Sequence, residues 1–441
     1  MDMEDSSFKF PERFFSGMAK LKVLSLNFLP SPIILPIGLQ TLCLDGSEIE
    51  EVAIIGELKK LKILSLRYCY NIKQLPGEIS QLIELRLLDL SDCENLEVIT
   101  PDVISSLVRL EELYMSGCFV QWEVRGPNVK RNNASLEELL HLSCLTALEI
   151  DIEDEKILPK GFFSKKLERY SISIGYASHC VSLGKSFEFI QNKGSRGIAM
   201  KLNSSICLEK LQGINNVESL CLGELQNVKS GLQELDNDGF SQLKHLCVQY
   251  NHNLLCLVDS TKCVTAFPLL ESLILCRIIN LEKICKGQPT TDSFCNLKFI
   301  KVNGCDELTI LFSFSTAKSL PQLQRLEVED CKNVKEIFAI EREGNVNNGS
   351  DKIEFFQLRF LTLKHLPRLA SFCSGMTTTS TSQSRHDELT LFDEKVSLMI
   401  TLYFSIIDIN NFLFFTLSEK ILNKQLTFTA ACFLQFGGVR S

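Results

Sequence analysis

Aliphatic residues recur along the chain in one frame, Leu-x-x-Leu-x-Leu-x-x-Cys/Asn, which returns about every 22–27 residues and predicts a leucine-rich-repeat solenoid. The clearest copies are Leu61-Leu64-Leu66-Cys69, Leu85-Leu88-Leu90-Cys93, Leu110-Leu113-Met115-Cys118, Leu243-Leu246-Val248-Asn251, Leu297-Ile300-Val302-Cys305 and Leu323-Leu326-Val328-Cys331. Weaker copies begin at Leu21, Leu39, Leu145, Leu167, Val217, Leu270 and Leu358, so about thirteen repeats are expected between residues 21 and 375. Within each copy the alternation seen at Leu64-Ser65-Leu66 puts both leucines on one face of a short strand, where the next coil stacks. A buried Leu, Ile or Val contributes about 1.5–3 kcal/mol, so a coil is stable only when its neighbours cover it. The expected fold is an α/β-class solenoid: a curved parallel sheet of short strands, an irregular convex side and little helix.

The frame also marks where the pattern fails. Residues 1–20 read as an N-terminal lead-in that caps the first coil. Two irregular stretches interrupt the solenoid, 119–141 with the single tryptophan, Trp122, and 176–216, which suits a bend or a join between repeat blocks. The polar stretch 340–351 reads as a surface loop. Residues 376–395 are rich in Ser and Thr and read as a linker. After Val396 the frame disappears, and seven of the 29 phenylalanines fall in the last 46 residues. Asp408, Asn410 and Asn411 sit in the middle of that apolar run, where lipid would penalise them, so a membrane span is not expected. Lys395-Val396-Ser397 is what a splice-donor-like AAG-GTA-AGT encodes, so the tail 396–441 reads as translated intron.

Composition narrows the function. A net charge of −8 and a pI near 5.5, with no long basic run, argue against a nucleic-acid partner. Of the 18 cysteines, Cys69, Cys93, Cys118, Cys305 and Cys331 share one repeat position, and no CxxC pair has zinc spacing. They are expected inward-facing and reduced, hydrogen-bonding the neighbouring coil's backbone, which implies a reducing compartment. The acidic start Met1-Asp2-Met3-Glu4-Asp5 lacks the features of a secretory signal, so the expected location is cytoplasmic. The triplets at Asn133, Asn203 and Asn348 that fit glycosylation therefore carry no weight.

No catalytic pattern emerges. Gly184-Lys185-Ser186 looks like the end of a phosphate-binding loop, but the motif needs a glycine where His179 stands. The six histidines are scattered, without His-Glu-x-x-His. The reading is of a binding protein with no catalytic residue, no metal and no cofactor.

Several segments carry a family resemblance: Phe14-Phe15-Ser16-Gly17-Met18 before Leu21-Lys22-Val23-Leu24, Leu85-Arg86-Leu87-Leu88-Asp89-Leu90-Ser91, Leu110-Glu111-Glu112-Leu113-Tyr114-Met115, Val120-Gln121-Trp122-Glu123-Val124, and Phe267-Pro268-Leu269-Leu270-Glu271-Ser272-Leu273 with Leu281-Glu282-Lys283-Ile284-Cys285. From about Phe8 to Val396 the chain resembles the repeat domain of plant intracellular disease-resistance proteins of the coiled-coil, nucleotide-binding, leucine-rich-repeat type. That family's coiled coil and P-loop have no matching positions here, so ATP-dependent switching does not carry over. The resemblance implies a domain that senses pathogen effectors or guarded host proteins and, in full-length members, restrains a nucleotide-binding module.

The solenoid supplies a surface for such a partner, because the non-leucine positions of each strand point outward. Those positions, with their flanks, carry Arg67, Tyr68, Asp89, Asp92, Glu111 and Tyr114 early, and Tyr250, Lys301, Glu327, Glu329 and Lys364 later, with charge changing sign from coil to coil. Trp122 joins this set either as an exposed anchor or as packing over the interrupted repeat. Two alternatives stand beside recognition in plant defence: the substrate receptor of a ubiquitin ligase, for which no adaptor-binding helical segment precedes Leu21, and a truncated resistance-gene product without activity of its own.

Overall fold

The computed structural model describes residues 14–374 apart from 16, 28–33, 125–130, 165–166, 176–195, 202–215, 225–227, 230, 233–239, 262–266, 288–289, 291, 314–315, 318–319 and 340–356; beyond 374 it describes only the backbone strands Met399–Tyr403, Thr416–Leu417 and Phe428–Thr429. The Gly184-Lys185-Ser186 segment, the loop at 340–351, the linker at 376–395, most of the lead-in and most of the tail thus lie outside the described residues. The chain divides into two compact units, Met1–Ser219 and Leu220–Ser441.

In the first unit eight short strands, Val23–Ser25, Thr41–Cys43, Ile63–Ser65, Leu87–Asp89, Glu112–Met115, Ala147–Ile152, Arg169–Ile174 and Arg196–Lys201, each pair in parallel with the next. The repeat frame sets the register: Leu24, Leu42, Leu64, Leu88, Leu113 and Leu148 are successive partners, and all are buried. A one-residue slip would move this row to the solvent face, so register and burial enforce each other. The strand Arg196–Lys201 lies in the stretch where the frame fades, and it still pairs with Arg169–Ile174.

A second rule, absent from the frame, ends most of these strands. The residue just before the Cys/Asn position adopts a left-handed backbone: Gly46, Tyr68, Asp92 and Gly117 in the first unit, and Tyr250, Arg277, Gly304, Asp330 and His365 in the second, all with φ between 51° and 69°. Its N–H reaches the following coil, as in Tyr68 N to Ser91 O at 3.0 Å and Gly304 N to Glu329 O at 3.0 Å. This kink turns the next residue inward. The thiols of Cys69, Cys93, Cys118, Cys305 and Cys331 are accordingly buried and unpaired by disulfides. Cys69 and Cys93 donate to the preceding coil, at Leu44 O (3.1 Å) and Leu66 O (2.9 Å). Cys118, Cys305 and Cys331 donate within their own coil, to Met115, Asn303 and Glu329 carbonyls.

Opposite the strands, the first unit stacks single helical turns at Ala53–Glu57, Gly77–Gln81 and Val103–Ser106. Gly56 permits this closeness, since a Cβ there would lie 2.5 Å from Glu78 O. The described parts of the insertion, 119–124 and 131–141, pack onto neighbouring coils. Trp122 is 5% exposed, makes an edge contact with Phe119 at 5.0 Å, and donates its indole N–H to Asp151 O at 3.3 Å. Glu138 is fully buried, accepting from the backbone of Asp102 (3.0 Å) and Ser135 (3.2 Å) and from Arg131 (3.0 Å).

The second unit repeats the parallel ladder in His245–Gln249, Ser272–Cys276, Phe299–Asn303, Arg325–Glu329 and Phe360–Lys364, with Leu246, Leu273, Ile300, Leu326 and Leu361 in register. Phe240, Phe267 and Phe294, each three residues before the first leucine of its coil, form a buried stack with ring centroids 6.0 Å apart. An irregular back was expected, and here it is regular. Cys256–Asp259 pairs with Lys283–Lys286, and Ile310–Ser313, Glu336–Ala339 and Ser371–Ser374 form a second parallel ladder. Consecutive apolar residues such as Ile337 and Phe338, both buried and of high strand propensity, favour strand over coil there. The α-helices among the described residues are two of four residues each.

Candidate protein-recognition face

The register that buries the leucines also lines up the side chains between them, so most of the candidate residues fall into two groups, one per unit. In the first, Arg67 Nε lies 3.7 Å from Asp89 Oδ2, and its guanidinium sits 5.2 Å from the Tyr68 ring centroid. Asp89 is anchored in turn by Ser91, accepting from its N–H (3.0 Å) and hydroxyl (2.6 Å). Tyr68 is 42% exposed, a consequence of the left-handed kink that swings it off the sheet. Burial pushes the neighbouring Asp92 carboxyl above its ordinary value, with Arg67 opposing. Tyr114 donates to Glu112, which also holds Arg169 at 3.1 Å, and burial followed by the Glu112 contact pushes the phenol up to about 12. Glu111 stands apart on the surface, 3.3 Å from Arg86.

The second cluster is a denser ion-pair network. Lys301 lies 3.2 Å from Glu327 and 3.9 Å from Glu329, and Lys364 lies 3.2 Å from Glu329. Glu327, expected on the open surface, is 7% exposed, because its two cations close over it. Tyr250 carries the Arg277 guanidinium 5.5 Å from its ring. Trp122 belongs to neither cluster; its burial puts it in the packing role.

Sequence reasoning missed Phe299, Arg325 and Phe360, Arg277, and the pair Asp330 and His365, whose Oδ1 and Nδ1 are 2.8 Å apart. The frame does contain a signal for Arg325 and its flanking rings, which stand at the same offset before Leu326, Ile300 and Leu361. The face offers charged donors and acceptors, exposed rings and preset ion pairs. Those are groups by which a surface can bind another protein. Among the described residues no group of His, Cys, Asp and Glu is placed to hold a metal ion, and no helix is long and apolar enough to cross a membrane.

The repeats have relatives among known proteins. The family described as plant disease resistance protein RPS2-like, leucine-rich repeats, matches residues 269–384. The probable disease resistance protein At4g27220 of Arabidopsis thaliana is 26% identical over 437 residues, covering 83% of this chain and 45% of its own. The disease resistance-like protein DSC1 of the same plant is 30% identical over 181 residues, covering 39% of this chain and 14% of its own. The chain therefore spans less than half the length of these curated relatives. Among solved structures, an internalin of Listeria monocytogenes superimposes with a TM-score of 0.39 at 13% identity, covering 82% of this chain and 89% of the other.

Proposed function

Because its repeats are related to those of plant disease resistance proteins, we propose that this chain is a protein-recognition domain of plant innate immunity, which senses pathogen effectors or their host targets. In a longer receptor it also restrains a nucleotide-binding module. It acts by binding and carries no catalysis of its own, and its reduced, buried thiols suit the cytoplasm. The observation that carries the reading is the set of charged and aromatic side chains held in register on the strand face of a chain with these relatives. Such a face sets register and on-rate with a partner by complementary charge.

Proximity labelling in leaf tissue tests it. The intact chain is compared with Arg67→Glu and Lys364→Glu, chosen because both side chains are about one-third exposed. The reading expects a defined set of neighbouring proteins that both variants lose while melting unchanged. Identical neighbours for wild type and both variants, at equal protein level, would remove this face as the recognition site.

A further inference from the structure

Phe299, Arg325 and Phe360 stand at one register position on three consecutive parallel strands of the second unit. The Arg325 guanidinium carbon lies 5.8 Å from the Phe299 ring centroid and 5.4 Å from that of Phe360, so a cation sits between two aromatic side chains. One edge of the guanidinium is already engaged: Nε and Nη2 both reach Glu327 Oε1 at 2.6 Å. Nη1 has no partner among the described residues, the Arg325 side chain is 52% exposed, and Phe360 is 41% exposed. The guanidinium is thus ordered before any partner arrives, so little further rotamer freedom is lost on binding.

The surroundings set the sign of that partner. In and beside these strands Lys298, Lys301, Arg325, Arg359 and Lys364 outnumber Glu271, Glu327, Glu329 and Asp330 by one, and each of the three glutamates already holds a lysine. On a chain of net charge −8 this is a local cationic excess. We propose that Phe299, Arg325 and Phe360 form an anchor for an acidic protein segment: an Asp or Glu carboxylate takes the open Nη1 edge, and an apolar neighbour of that residue lies against Phe360. This rests on the recognition role proposed above and names the chemistry of its partner. A protein segment fits better than a nucleic acid, because the anchor leaves one guanidinium edge open, enough for a single carboxylate, whereas a nucleic acid is held by a run of unpaired cations along its backbone.

Fluorescence anisotropy with the full chain tests it, using a labelled glutamate-rich peptide with leucine at every third position, the same peptide with lysine for glutamate, and an oligothymidylate. The acidic peptide binds, more weakly as salt rises, and the other two do not. Arg325→Gln weakens it about tenfold or more, as does Phe360→Ser, while Arg109→Ala, an exposed cation of the first unit, leaves affinity unchanged. Melting curves accompany each variant, and the two substitutions on different strands guard against one simply misfolding. No binding of the acidic peptide, equal binding of oligothymidylate, or an Arg109→Ala loss as large as that of Arg325→Gln would overturn the anchor. Such a failure, with the neighbour set still lost on Arg67→Glu and Lys364→Glu, would leave the recognition role standing.

Discussion

At the residue scale the cysteine position shows how one side chain can serve the fold and announce its chemistry. Burial pushes the Cys93 and Cys331 thiols up to about 12, and that of Cys118 well above its ordinary value of 9.0. Native protein should therefore label slowly at Cys69, Cys93, Cys118, Cys305 and Cys331 and fast at the exposed Cys144, with all reacting once unfolded; fast native labelling at the five would contradict the inward ladder. The linkage has a definite sign. A folded-state pKa above the unfolded one means that these thiols stabilise fully below about 9 and progressively less as pH rises toward 12, while the unfolded chain ionises and the folded one does not. Urea midpoints measured across that range should fall, and should fall less in Cys93→Ala. The left-handed position before each cysteine is a second residue-scale constraint. Gly117→Ala should cost about 1–2 kcal/mol, because its φ of +69° disfavours any Cβ and the new atom would lie 2.7 Å from Asp92 Oδ1.

At the element scale, Trp122 and Glu138 clasp the insertion to neighbouring coils. Trp122→Ala should lower stability by about 3–5 kcal/mol in urea titration, from the lost ring packing against Phe119 and the stranded Asp151 carbonyl. A melting temperature unchanged by that substitution would return Trp122 to the role of an exposed anchor. Glu138→Ala should cost a similar amount, about 3–5 kcal/mol, since it leaves Arg131 and backbone N–H groups of two coils without their acceptor. The sequence announced the insertion by a break in period, yet a break alone carries no information on what lies beneath it. The phenylalanine stack in the second unit was more legible than it looked, because Phe-x-x-Leu recurs at 240, 267 and 294.

At the scale of the whole molecule, the repeat predicts far-UV circular dichroism dominated by strand, and a helical spectrum would contradict it. It also predicts a division of labour among substitutions. Leu66→Ala or Leu326→Ala should cost roughly 2–5 kcal/mol by opening the stacked core, whereas an exposed change such as Arg109→Ala should shift stability by about 0.5 kcal/mol. Glu327→Lys belongs with the first group, because it would set a third cation against Lys301 and Arg325 at a buried position. The sequence by itself determined the parallel coil, its register and the inward cysteines, because those depend on a period of two along each strand and on which positions must be apolar in every coil. Only the tertiary structure decided the strand at Arg196–Lys201, the second ladder on the back, the burial of Glu327 and the seating of Arg325 between two rings. Each of these depends on which side chains the stacking brings side by side from coils about 25–35 residues apart, and no single stretch of chain contains both partners.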